Sequence, residues 1–469
     1  MIRENRTFAE IRPGDSADLM RTCTADDFFV FATASGNHNP MDLTEHDHDG
    51  DGVKDEPIAP AMWVGSLISA VLGNILPGPG TLYRAQDLQF LGHAQAGDDL
   101  VARVTVLEKH DDGRVRLATI VERPSDGATL VRGEALVQAP SAKLSFEDLD
   151  LPGLVVQRHR HFDTLLERAR ALPPLTVAVV APEEPNSLGG ALLAAEHHLI
   201  TPIFVGDRTR IEAAAREIGR SITQVEIVDT SGHVAAANKA VDLIAAGRAQ
   251  ALMKGHLHTD DLLRAALRKD NGLRSGRRLT HVFVMDVPGL AHPLLVTDAA
   301  INITPDLTTK VDIVQNAIDL AVSLGIPEPK VGILSAVETV NPAIPSSVDA
   351  ALLSKMAERG QITGGIVDGP LAMDNALDLK AARTKGLTGA VAGQAEVLVV
   401  PGLDAGNMLA KQLTYISKAE GAGLVMGAKV PIIMTSRADG EKARLASCAV
   451  AAVHHARVSS NTVAELAQQ

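Results

Sequence analysis

The chain changes its pattern of hydrophobic and polar positions near residue 150. Before that point four segments, TLYRAQDLQFL, DDLVARVTVLEKH, GRVRLATIVERP and ATLVRGEALVQA, alternate with a period of two between Gly/Asp turns at 111–113 and 125–127. That is the pattern of half-buried antiparallel strands. They follow PAMWVGSLISAVLGNIL, residues 60–76, which is apolar on nearly every helical face, opens on Pro and stops at LPGPG. A helix apolar all round must be wrapped by other structure. The expected first module is therefore α+β, one buried helix inside a curled antiparallel sheet.

Residues 139–153, APSAKLSFEDLDLPG, carry the polar and proline punctuation of a linker. Beyond them short apolar strands alternate with longer amphipathic segments: LTVAVVAP, LGGALLAAEHHLI, TPIFVG, RTRIEAAAREIG, and so on to VPIIMTSRAD. Strand–helix alternation of this length predicts a parallel sheet covered by helices, split into two α/β lobes with a cleft.

Composition narrows the classes. The 469 residues are 46% hydrophobic and 22% charged, as expected for a soluble globular protein of several domains. Two cysteines cannot build a disulfide framework or a thiolate zinc site, and Cys448 in ASCAVAAV reads as a core thiol. The start MIRENRTFAEIRPGD places charges where a secretory signal needs apolar residues, and no window offers about 18 uninterrupted apolar residues. A cytoplasmic protein without a membrane partner is expected. The net charge is −13, but residues 1–150 hold 13 basic and 25 acidic residues against 31 and 32 in the rest. The acidity thus belongs to the first module, neither part suggests nucleic acid, and the second suits an anionic ligand better.

Several motifs are absent: GxxxxGK[ST], a convincing GxGxxG, GxSxG and a thiolate metal site. What remains are strand-to-helix junctions. In VPIIMTSRADGEKARLASCAVAAV an apolar strand over 430–434 ends at Thr435-Ser436-Arg437 and a helix begins near Gly440. Free N–H groups, a helix dipole and a guanidinium suit phosphate there. In EVLVVPGLDAGNMLAKQLTY, Gly406 permits close backbone approach and Asn407 can hydrogen-bond a ligand, although Asp404 reads equally as a cap. Lys254 and Arg264 in KGHLHTDDLLRAAL, Arg277 and Arg278 in SGRRLTH, and Asp368 and Asp374 in DGPLAMDNA complete the candidates. His256 and His258 read as loop residues, not as metal ligands.

The motifs MKGHLHTDDLLRAAL, LLVTDAAINITPDL, ILSAVETVNP, VDGPLAMDNA, VVPGLDAGNMLAKQL and IIMTSRAD resemble, in order, those of the phosphate acetyl/butyryltransferase family. The resemblance implies two α/β lobes similar to the isocitrate/isopropylmalate dehydrogenase fold, lobe I about 158–296 plus 434–469 and lobe II about 297–433, usually dimeric. It implies the reaction acyl-CoA + phosphate ⇌ acyl phosphate + CoA, with CoA as substrate or product and no tightly bound cofactor or metal. The family's Ser-Arg pair maps onto Ser436 and Arg437; Lys254, Arg264, Arg278, Gly406 and Asn407 are the candidates for holding phosphate and CoA. A base Asp of the acetyltransferase branch is replaced by Ala443, which leaves Asp439 or Glu441 for the proton, with Asp439 the candidate.

In the first module, FATASGNHNPMDLT with IAPAMWVGSLISAVLG and LPGPGTLYRAQDLQFL resembles the MaoC-like enoyl-CoA hydratases, which implies a hot-dog fold over residues 1–145, followed by a linker at 146–157 and the transferase from 158 to 469. The pairing resembles bifunctional enoyl-CoA hydratase/phosphate acetyltransferases. The family's loop SGDxNPxH supplies an Asp and a His; here Asn37 stands in the Asp slot and Asp42 in the His slot. Asn cannot accept a proton near neutral pH, so a hydratase-like domain without hydratase activity is expected, kept for binding or oligomerisation. Its acidic loop EHDHDGDGVKDE, 45–56, reads as solvated, not as a calcium loop. The alternatives are a non-catalytic acyl-CoA or acyl-phosphate sensor and an (R)-enoyl-CoA hydratase/acyltransferase with both activities. A homo-oligomer, dimer or higher, is expected.

Overall fold

The computed structural model describes residues 2–43, 56–147, 160–436 and 439–467. The chain divides into two compact units, Met1–Val156 and Gln157–Gln469. The first contains β1 (Ile2–Glu4), β2 (Ser16–Thr22), β3 (Leu82–Phe90), β4 (Asp99–Lys109), β5 (Arg114–Arg123), β6 (Ala128–Gln138) and β7 (Ser145–Glu147). Five of these form an antiparallel sheet in the order β2-β4-β5-β6-β3. Its inner face carries the alternate residues Leu100, Ala102, Val104, Val115 and Leu117, all fully buried. The helix Ala61–Asn74 lays Ile68, Val71 and Leu72 against them. The excess of apolar residues around this helix is thus explained by burial, and the helix ends short of Leu76 where Pro77 follows.

Within the stretch expected to be a linker, residues 139–147 are tied into the first unit. Asn5 Nδ2 donates to the Ala142 carbonyl at 2.9 Å, Leu144 N–H donates to Asn5 Oδ1 at 3.0 Å, and β7 pairs antiparallel with β1. Polar and proline residues there satisfy a chain crossing within the unit, which composition alone does not distinguish from a tether.

The second unit is built on one eleven-stranded sheet, ordered β10-β9-β8-β11-β18-β17-β12-β13-β16-β14-β15. Its strands are β8 (Leu175–Val180), β9 (Ile200–Gly206), β10 (Glu226–Asp229), β11 (Ala251–Lys254), β12 (Thr280–Asp286), β13 (Leu294–Thr297), β14 (Lys330–Leu334), β15 (Ile366–Leu371), β16 (Val397–Val399), β17 (Glu420–Met426) and β18 (Ile432–Ile433). In sheet order the first five, β10-β9-β8-β11-β18, are mutually parallel, as are the last four, β13-β16-β14-β15. Between them β17 and β12 pair antiparallel with each other and with both blocks, so the two parallel blocks run in opposite directions. Near-continuous burial along β8, β11, β13 and β16 explains why these strands read as unbroken apolar runs. The sequence suggested a strand over 430–434; only Ile432–Ile433 pairs as one, because the chain enters it from Pro431 and leaves it toward Thr435. Among the described residues no helix is long and apolar enough to cross a membrane.

The helix Glu441–Ala467 packs along the face of this sheet and buries Cys448, whose thiol burial pushes up to about 12, and most of His454. His454 Nδ1 lies 2.9 Å from Ser323 Oγ, and burial pushes its pKa from the ordinary 6.5 down to about 4. A histidine buried in its neutral form contributes stability above its unfolded pKa, and that contribution is lost as pH falls from about 6.5 to about 4, at up to about 1.4 kcal/mol per pH unit. In urea denaturation at pH 7, 5.5 and 4.5, His454→Asn is expected to lose less stability over the interval than the wild type does. Parallel losses would contradict the assignment.

Candidate functional site

In the first parallel block the chain proceeds β8, β9, β10 toward one edge and then returns to place β11 on the other side of β8. Such a reversal opens a crevice at the carboxyl ends of the strands. There, beyond β11 and β18, lies a cavity of about 350 Å³ lined by Lys254, Leu257, His258, Thr259, Asp260, Thr435 and Ser436. Two segments separated by some 180 residues of sequence thus meet because β11 and β18 pair in parallel, Leu252 with Ile432 and Met253 with Ile433.

Each wall has a distinct chemical character. Lys254, the last residue of β11, is 4% exposed. The helix Thr259–Ala266 begins at the cavity, and its N-cap, His258, makes no side-chain capping bond. Its first-turn N–H groups and positive dipole end therefore face toward a ligand position, with Asp260 as a counter-charge on the rim. Thr435 is 6% exposed, and its Oγ1 has no hydrogen-bond partner among the described residues. A buried hydroxyl left unsatisfied costs about 1–3 kcal/mol. This one borders the cavity. Ser436 is exposed; its N–H donates to Asp439 Oδ2 at 2.7 Å, and the Asp439 N–H returns to the Ser436 carbonyl at 3.2 Å. Arg437 lies outside the described residues, as does Ala438.

Behind this loop sits a residue that the sequence reading overlooked. Arg444, in the first turn of the helix Glu441–Ala467, is 1% exposed. Its Nη1 donates to the carbonyl of Lys254 and its Nη2 to the carbonyl of Ser436, both at 3.3 Å. One guanidinium thereby joins the ends of the two segments that form the cavity. Burial pushes its pKa down, opposed by the nearby charges of Glu184 and Asp439; an arginine remains charged regardless. The room for it comes from Gly190, where a Cβ would lie 2.4 Å from Arg444 Cδ. The adjacent glycines of LGGALL, costly inside a helix, were the available sequence signal. On the other side His281, fully buried on β12, places Nε2 3.3 Å from the Met434 carbonyl, and burial lowers its pKa, which keeps it neutral.

The remaining candidates divide. Lys254 and Ser436 line the cavity and Asp439 braces its loop. Arg264 is 75% exposed on its side chain and pairs with Asp261 at 3.5 Å. Arg278 is exposed just before β12, at the end of the sheet opposite the cavity, with its N–H donating to Asp312 Oδ2 at 3.1 Å. Gly406 is buried, and the close approach it permits is to protein: a Cβ there would lie 2.9 Å from Ala299 Cα and from the Asp298 carbonyl. Asn407 is exposed beside it. The Asp298 carboxylate accepts four bonds, from the N–H groups of Ala300, Ile301 and Asn302 and from Asn302 Nδ2, at 2.6–3.2 Å. Asp368 is half-buried on β15, and Asp374 pairs with Lys385 at 3.1 Å. Among the described residues no cluster of three His, Cys, Asp or Glu could hold a metal ion.

The first unit has its own cavity, about 520 Å³, bordered by Phe31, Asn37, Asp42, Met62 and His93 among others. Asp42 is 7% exposed and both of its oxygens are engaged: Oδ2 accepts from Asn37 Nδ2 at 3.0 Å and Oδ1 from Asn39 Nδ2 at 3.1 Å. The acidic loop, 45–56, lies outside the described residues apart from Glu56, which is exposed.

Residues 233–452 match the family described as "Phosphate acetyl/butaryl transferase". A phosphate acetyltransferase of Rhizobium meliloti is 57% identical over 303 residues, 65% of this chain and 96% of that protein. The crystal structure of a branched-chain phosphotransacylase from Enterococcus faecalis V583 is 33% identical with a TM-score of 0.53, covering 60% of this chain and 99% of that one. The unliganded R-hydratase PhaJ1 from Pseudomonas aeruginosa is 38% identical over 34% of this chain and all of that one, with a TM-score of 0.32. With the cavity between β11 and β18 inside the matched region, the chain belongs to the phosphate acetyl/butyryl transferase family and is an acyltransferase.

Proposed function

We propose that the second unit exchanges an acyl group, acetyl in the first instance, between CoA and inorganic phosphate at the cavity beyond β11 and β18. The observation that carries this reading is the convergence there of Lys254, the unpartnered Thr435 hydroxyl, Ser436 and an uncapped helix N-terminus. Together these are donors and positive charge arranged for an oxyanion. The identity to the Rhizobium meliloti phosphate acetyltransferase supports acetyl over longer chains.

In the acyl-phosphate direction a phosphate oxygen attacks the thioester carbonyl, a C–O bond forms, the C–S bond breaks, and CoA leaves as thiolate and takes up a proton. No covalent enzyme intermediate is required, because holding both substrates together supplies much of the acceleration. Lys254, Thr435 and the helix N-terminus hold phosphate; Ser436 donates to the carbonyl oxygen as it gains charge; Arg437, next in the chain, clamps the phosphate. Asp439 fixes the loop through Oδ2 and is the carboxylate assigned to the thiol proton. Arg264, four residues beyond Asp260 on the same helix, is assigned to the phosphates of CoA. Arg278, Gly406 and Asn407 are given no contact with substrate: the first lies at the other end of the sheet, and the other two shape the Asp298 loop and its surface. The likeness to isocitrate/isopropylmalate dehydrogenases is proposed to extend to two lobes, 158–296 with 434–469 and 297–433, centred on the two parallel blocks. A cytoplasmic homo-oligomer is part of the same reading, supported by the exposed Met408, Tyr415 and Ile416, each above 60% exposure.

For the first unit we infer a domain that has lost hydration. Asp42 is held as an acceptor by two amides, one on each oxygen, and Asn37 stands in place of an acid, so the pair lacks a group that gives a proton. Its partly apolar cavity supports retained binding of an acyl chain.

Phosphate-dependent release of CoA from acetyl-CoA tests the main reading; no release from acetyl-, propionyl- or butyryl-CoA would support a sensor instead. In that assay Thr435→Val is expected to raise the KM for phosphate about tenfold, the equivalent of ~1.4 kcal/mol, with thermal stability unchanged or higher, because the hydroxyl has no partner among the described residues. Equal KM values would remove Thr435 from the site. Arg444→Met is expected to lower kcat about 10- to 100-fold through misplacement of the Ser436 loop, and Arg444→Lys to recover part of it; full activity in Arg444→Met would overturn the positioning role. The whole chain is expected to leave crotonyl-CoA unhydrated, which spectrophotometric loss of the enoyl thioester would contradict.

A further inference from the structure

At the other end of the same strands lies a larger cavity, about 860 Å³, that the transfer reaction does not use. It is framed by the loop 275–277, the turn 427–431 between β17 and β18, the helix Leu307–Ser323 and the far part of the helix Glu441–Ala467. Its volume falls in the range of small-molecule sites, which run from about 300 to 1,000 Å³, and is well beyond what inorganic phosphate fills.

The lining is positively charged. Arg277, Lys429 and Arg457 face it, against one carboxylate, Asp319. That carboxylate is engaged by Arg277 and by Gln315 Nε2, the latter at 3.0 Å. The side chains of Lys429 and Arg457 are exposed and make no ion pair or hydrogen bond among the described residues. His454 and His455 also line the cavity; burial lowers the pKa of both, so the fixed positive charge comes from the two unpaired cations and Arg277. Gln315, Asn316 and Thr363 add neutral polar groups. Cations free of partners around a concave, nucleotide-sized space recognise an organic anion.

The cavity is also wired to the candidate site through two rigid pieces. Pro431 lines this cavity and Thr435 lines the other, so four steps of chain through β18 join them. The helix Glu441–Ala467 carries Arg444, which holds the Ser436 carbonyl, at one end and His454, His455 and Arg457 further along. A ligand that pulls Lys429 and Arg457 together bears on both the strand and the helix that place Ser436.

We propose that this cavity binds a phosphate-bearing organic anion of nucleotide size and that its occupancy regulates the acyl transfer at the opposite end of β18. The binding half of the proposal stands on the cavity alone; the regulatory half rests on the function proposed above. Calorimetric titration of the full-length protein with ATP and, separately, with fructose 1,6-bisphosphate tests it, each repeated in saturating CoA and phosphate. One ligand per chain is expected to bind, to persist when CoA and phosphate are present, and to weaken tenfold or more in the double variant Lys429→Glu with Arg457→Glu, whose unliganded turnover matches the wild type. Binding of ATP alone identifies a nucleotide site and of the bisphosphate alone a sugar-phosphate site. Absence of both, displacement by CoA and phosphate, or equal affinity in the double variant would overturn the site. Binding that leaves kcat and KM unaltered in the wild type would overturn the regulation while leaving the transfer reaction itself untouched.

Discussion

The second unit depends on one buried cation. Arg444 donates to the carbonyls that end β11 and the Thr435–Ser436 segment, two stretches far apart in sequence. Strand pairing through β18 covers only two residues. A short parallel ladder specifies direction well and loop position poorly, so the loop that follows needs a second anchor. A buried guanidinium supplies one with a fixed fork geometry, at a desolvation cost that Glu184 and Asp439 partly offset. Gly190 is the structural concession that makes space for it.

This arrangement explains why the features proposed to hold phosphate cluster where they do. Parallel strands deliver chain ends to one edge, a helix that starts there without a side-chain cap leaves its N–H groups for a ligand, and a threonine hydroxyl is buried before any ligand is present. On the proposed reading, an oxyanion compensates each of these features, as expected of a site organised ahead of its substrate. The first unit shows the converse. Asn37 and Asn39 each donate a side-chain bond to Asp42, which stabilises the loop and supports the proposal that this unit does not hydrate.

Much of the fold was legible from periodicity. The period-two segments are β3 to β6, and the unbroken apolar runs are the parallel strands; burial on one face or two dictates the pattern in β4, β5 and the parallel strands, whereas β3 alternates although none of its residues is buried. Linker and cavity membership were less legible. Asn5 holds 142–144 through contacts across the whole first unit, and no local composition encodes that. Lys254 and Ser436 were readable as ends of apolar strands followed by polar loops. Arg444 was not, since an arginine opening a helix looks solvated until the facing Gly189–Gly190 pair is placed against it. Gly406 was identified correctly as a point of close approach, but sequence cannot say whether the approaching group is ligand or backbone; here it is the Asp298 backbone.

The central claim is that acyl transfer occurs in the cavity between the ends of β11 and β18. A crystal structure with acetyl phosphate bound tests it most directly. The expected result is a phosphoryl group within hydrogen-bonding distance of Thr435 Oγ1 and Lys254 Nζ, near the first turn of the helix Thr259–Ala266. Acetyl phosphate bound elsewhere in a protein that turns over, with this cavity empty, would contradict it.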